Sequence, residues 1–118
     1  MVSPYSYGLC RTEKAFHKEM KRLRVPRDQW PGFMGSDVAN AAVHFFEQGE
    51  GGLLAIVCLG STKGRSKTEV HGILIHEAVH IWQAIRRTLG EDQPSDEFEA
   101  YSVQTIAQKL IEALESNK

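Results

Sequence analysis

Apolar positions divide the chain into three segments of helical period and two that read as strands. Over residues 12–23, Phe16, Met20 and Leu23 recur at i, i+4 and i+7 behind Thr12, which can cap a helix start; an amphipathic helix with a basic outer face is predicted. Residues 24–35 hold Pro26, Pro31, Gly32 and Gly35, which break any period, so they form a loop from which Trp30 and Phe33 fold back onto the core. Residues 38–47 and 53–60 are strand-like, and the glycine-rich Gln48-Gly49-Glu50-Gly51-Gly52 between them predicts a β-hairpin. The second strand is apolar on both faces, which places it centrally or under cover on both sides.

A long helix is predicted over residues 68–89: Thr68 caps its start, Arg86 and Arg87 suit its negative end, and Gly90 terminates it. Leu74, Ala78, Ile81 and Ile85 share its core face, flanked by Val70, Ile75 and Trp82. After a short turn at 91–94, a last helix runs over 95–116, opened by Ser95 with Asp96, Glu97 and Glu99 in its first turn. Its apolar stripe is Ala100, Val103, Ala107, Leu110, Ile111 and Leu114. The order helix, hairpin, helix, helix predicts one α+β domain over residues 1–118, a small antiparallel sheet packed against two long helices with no parallel crossover.

Composition narrows the function classes. The 118 residues suit one core rather than two, with 42% apolar and 25% charged residues, ordinary globular usage. Lys and Arg total 14 against 15 Asp and Glu, a formal charge of −1, which argues against a dedicated nucleic-acid partner. The longest apolar run, Leu53 to Leu59, is far short of the roughly 20 residues of a membrane span. The first ten residues lack a secretion signal's basic flank and apolar centre, so a cytoplasmic location is expected. Two cysteines, Cys10 and Cys58, make no disulfide framework, and Cys58 reads as a buried, inert thiol.

The chemistry sits in the long helix, at His76-Glu77-Ala78-Val79-His80. At 100° per residue the two histidines are 40° apart and one turn apart along the axis, so both imidazoles reach one cation. Glu77, 100° round from His76, is off the ligand line but close enough to hold a water beside that cation. The histidine side reads Glu69, Gly72, His76, His80, Gln83, small or polar as a cleft floor requires, with Gly72 leaving room for an approaching backbone. Five His and eleven Glu in this length produce the pattern by chance only about 0.02 times.

A catalytic zinc centre takes three protein ligands. His71 lies 140° from His76 and points away, His17 is on a basic helix, and His44 is on the first strand. Carboxylates of the last helix are better placed, because a short turn folds that helix back against the first. Glu97 and Glu99 border its apolar stripe on opposite sides, and spacing alone does not choose between them; Glu97 shares its line with Tyr101, Gln104 and Gln108.

His76-Glu77-x-x-His80 followed by Glu97-Phe98-Glu99-Ala100-Tyr101 resembles the gluzincins, zincin metallopeptidases whose third ligand is a glutamate on the next helix, in their smallest form. The Val79-His80-Ile81-Trp82-Gln83 and Phe98-Glu99-Ala100-Tyr101 stretches are also similar to compact zincin-like proteins of bacteriophages and prophages, over roughly residues 38–114. The resemblance implies Zn2+ held by His76, His80 and Glu97, with Ala100 at the motif's small position. It further implies Glu77 as general base and a peptide or protein substrate extended along an edge strand. Tyr101 stands where many gluzincins carry Asp, so ligand orientation must come from its hydroxyl, Gln104, a backbone carbonyl or water. Tyr101, and after it His44, are the candidates to donate to an oxyanion. The alternative is a catalytically silent zinc-binding structural or interaction protein of a phage.

Overall fold

The computed structural model of the chain describes residues 5–34, 40–48, 52–90 and 95–116. Val38, at the predicted start of the first hairpin strand, and the predicted turns at 49–51 and 91–94 lie outside the described residues. The elements are β1 (Tyr5–Cys10), α1 (Glu13–Arg22), a single 3-10 turn (Arg27–Gln29), β2 (Ala41–Gln48), β3 (Gly52–Leu59), α2 (Lys67–Leu89) and α3 (Asp96–Ser116).

The α+β class holds, but the sheet is mixed rather than antiparallel. Its order is β1-β3-β2: β2 pairs antiparallel with β3 as a hairpin, whereas β1 pairs parallel with β3 in the register Tyr5↔Leu53 to Cys10↔Cys58. The sequence reading assigned no strand to residues 5–10 because their only partner lies some fifty residues downstream, with no local turn to announce the pairing.

β3 is therefore the central strand, and its doubly apolar pattern follows from its neighbours. Ala55, Val57 and Leu59 point into a core shared with α2 and α3, while Leu54, Ile56 and Cys58 point into a second core shared with α1 and the loop after it. Phe16 and Met20 of α1 are wholly buried in that second core, and Trp30 and Phe33 pack against it. The Trp30 indole donates to the Val25 carbonyl at 2.8 Å, which pins the loop back as its apolar residues require. Thr12 caps α1 by accepting from the Ala15 amide at 3.0 Å.

α2 begins two residues earlier than a Thr68 cap implies. Ser66 is its N-cap, accepting from the Glu69 amide at 3.1 Å while the Glu69 side chain returns to the Ser66 amide, a reciprocal capping box. Gly90, at φ 73°, ends it in the left-handed region where a glycine carries no side-chain penalty. Leu74, Ala78, Ile81 and Ile85 are buried as their spacing predicts, joined by Val70 and Trp82, while Ile75 stays exposed. On α3 the buried residues are Ile106, Ala107, Leu110 and Leu114, and Ser95 accepts from the Phe98 amide at its start. No described helix is long and apolar enough to cross a membrane.

Candidate metal centre

The α2 surface opposite the core carries His76 and His80, both exposed. Their Nε2 atoms are 3.2 Å apart, with ring centroids 4.8 Å apart and planes near perpendicular. Two nitrogens bound at about 2.0–2.1 Å to one tetrahedral zinc lie roughly 3.3–3.4 Å from each other. The separation thus matches what a shared cation demands, and imidazole nitrogen is a suitable donor for zinc. The His80 Nδ1 donates to Gln83 Oε1, 3.3 Å away and three residues on.

Glu77 takes a different environment on the same turn. It is 6% exposed, the one buried charged residue among the described residues. Burial holds its carboxyl above the ordinary value, with the neighbouring His76 and His80 offsetting only part of that rise. A carboxylate whose ionised form is poorly solvated is a better proton acceptor than one in water, which suits the role of base.

A cleft of about 440 Å³ runs beside this turn, between α2 and the start of β2. Its walls include Gly72, His76 and Glu77 from the helix, Asn40 and Ala41 from the strand end, and Arg65 from the preceding loop. A Cβ built on Gly72 would meet nothing within 4 Å, so the glycine leaves the cleft floor open. Among the described strands β2 is at the edge, its other side from β3 facing no further strand. Asn40 is a member of this site that the sequence does not point to, and Arg65, which in sequence reads as part of a polar connector or a rim for acidic groups, joins it. The Arg65 guanidinium donates to the Asn40 side-chain oxygen, a tie across 25 positions that no local pattern reveals, and lies 3.8 Å from Glu69, four residues on.

The two candidate glutamates of α3 have separate fates. Glu99 lies in a groove with Val79, Trp82 and Gln83 of α2, and its Oε2 accepts from the Trp82 indole at 2.9 Å. Glu97 is exposed, on the line it shares with the equally exposed Tyr101, Gln104 and Gln108. Among the described residues no group of three His, Cys, Asp or Glu side chains gathers in metal-binding proximity. Tyr101, 64% exposed, lines a different groove with Tyr7, Trp82 and Phe98, away from the cleft that His76 and Glu77 line. His44 is on the opposite face of the sheet, where its Nε2 donates to the Phe33 carbonyl at 3.1 Å and its ring packs on Phe16. The structure thus brings together His76, His80, Glu77 and Gln83, and leaves Glu97, Tyr101 and His44 apart from them. Comparisons of the chain with protein-family models, with curated proteins and with solved structures return no match.

Proposed function

We infer that the chain is a zinc-dependent metallopeptidase. The observation that carries this reading is the His76 and His80 pair, whose Nε2 separation of 3.2 Å suits two ligands of one ion, beside a buried Glu77 that lines an open cleft. When bound, zinc supplies a water of lowered pKa and polarises a scissile carbonyl. Glu77 accepts the water's proton and returns it to the leaving amine, a role favoured by its poor solvation. The substrate backbone lies in the cleft over Gly72, with the β2 edge as its hydrogen-bonding partner.

The third donor comes from the first turn of α3. Glu97 is the choice here, since the resemblance to gluzincins assigns it that place and the Glu99 carboxylate is engaged with Trp82. A swing of Glu97 toward the pair is required. Tyr101, four residues after Glu97 on the same helix line and in a separate groove, has to move with it to serve as the proposed oxyanion donor. By the same resemblance, we group the protein with phage- or prophage-encoded zincin-like proteins that act on peptides or proteins. The exposure of Glu97 favours, as a second reading, a protein that binds zinc without turnover.

Metal analysis of protein purified without a histidine tag, paired with peptide-library cleavage, separates the two. The peptidase reading expects about one zinc per chain, cleavage by the wild type, and cleavage lost in Glu77→Gln while zinc remains. Stoichiometric zinc with no cleavage by either protein selects the silent reading. Glu97→Ala is expected to weaken zinc binding by more than the roughly 10–100-fold typical of losing an outer partner, and Glu99→Ala by far less. Equal effects overturn the ligand choice.

A further inference from the structure

Resting on the metal-site reading above, the hydrogen bonds around His80 define its protonation pattern. A side-chain amide oxygen only accepts, so the contact between His80 Nδ1 and Gln83 Oε1 at 3.3 Å requires the imidazole proton to be on Nδ1. A neutral imidazole has one such proton, which leaves Nε2 with its lone pair free. That Nε2 is the atom 3.2 Å from His76 Nε2. Without a cation, His76 therefore donates its own Nε2 hydrogen into the His80 lone pair.

We propose that Gln83 is a positioning residue for a divalent-cation site: it holds His80 in the Nδ1-protonated form, with Nε2 bare and aimed where a cation is shared with His76. The two histidines then differ in readiness. His80 ligates as it stands, whereas His76 must lose its proton from Nε2 and take one up on Nδ1 before its lone pair is available. Gln83 suits this task because it is half-buried, lining a groove with Val79, Arg86 and Ala100, and lies one turn beyond His80 on the same helix. It also supplies from within α2 the orienting contact that an aspartate at position 101 would otherwise offer, since outer hydrogen bonds of this kind fix the tautomer of ligating histidines.

The test is nitrogen-15 two-bond correlation NMR of the imidazoles in metal-free wild type, Gln83→Leu and Gln83→Glu, with zinc dissociation constants from chelator competition. The expected wild-type pattern is Nδ1–H for His80 and Nε2–H for His76, with zinc changing the tautomer of His76 alone. Gln83→Leu should mix the His80 tautomers and raise the zinc dissociation constant roughly 10–100-fold, and Gln83→Glu should restore both. His80 protonated at Nε2 in the wild type overturns the proposal, as do unchanged tautomers and affinity in Gln83→Leu. Absence of zinc uptake by the wild type overturns the proposal and the metal-site reading together. Zinc uptake without peptide cleavage overturns only the peptidase reading, and the tautomer pattern then decides Gln83 by itself.

Discussion

Single side chains in this molecule are governed by which side of the sheet or of α2 they face. Cys58 is wholly buried beneath α1, and burial, with the Cys10 thiol as a smaller second cause, pushes its pKa up to about 12 from an ordinary value of 9.0. Between those values the unfolded chain releases a proton that the folded chain keeps, so stability falls as pH rises through that window. Denaturant unfolding at about pH 8 and about pH 10.5 should show a loss that Cys58→Ala partly abolishes. Gly72 makes the opposite case of an exposed position with nothing to clash against: Gly72→Ala should stabilise the protein by about 1 kcal/mol through helix propensity alone, measurable in the same experiment. Site legibility divides along the same line of locality. His76, Glu77 and His80 are readable because helical spacing alone sets their directions, and the Gln83 contact could have been found from its i+3 offset. The third donor is not readable this way, because its direction depends on how α3 is rotated against α2.

Secondary-structure elements here owe their ends to a few polar side chains. The capping box at the start of α2 joins Ser66 and Glu69, and the same Glu69 faces Arg65 at the cleft rim, so the helix start and the cleft wall share atoms. Ser66→Ala should cost about 1 kcal/mol in thermal or denaturant unfolding, the ordinary penalty of a lost cap. At the contact between α2 and α3, Trp82 is buried, packs its ring near perpendicular to Phe98 and spends its indole hydrogen on Glu99. Trp82→Phe keeps most of the ring but frees that carboxylate, so a loss of about 0.5–1.5 kcal/mol is expected from denaturant unfolding. Helices α1, α2 and α3 are legible because each carries its own apolar period and a capping residue at or beside its start, although at α2 that residue is Ser66 rather than Thr68. β1 was not, since Tyr5–Cys10 becomes a strand only by lying parallel against residues of β3 that follow α1 and β2 in the chain.

At the scale of the whole molecule, the described residues form a three-stranded sheet with α1 on one face and α2 and α3 on the other, and the candidate metal centre is on the outer surface of the second layer. Removal of residues 1–11 would strip the parallel strand from β3 and expose the edge of the central strand, with part of both cores. Such a truncation should abolish cooperative unfolding by circular dichroism rather than trim stability by a small amount. The α+β class and the doubly covered β3 were foreseeable from the run Leu53 to Leu59, because so many consecutive apolar residues need a layer on each side.

That central strand also works as a two-channel address. Substituting Ile56 by alanine hollows out the layer beneath α1, and substituting Val57 hollows out the layer beneath α2, although the two are adjacent in the chain. Damage of about 2–5 kcal/mol can thus be delivered at Ile56 to the half of the molecule remote from the histidines. Anyone wishing to tune the protein's robustness independently of its ion affinity has, in the even and odd positions of one strand, separate handles for each.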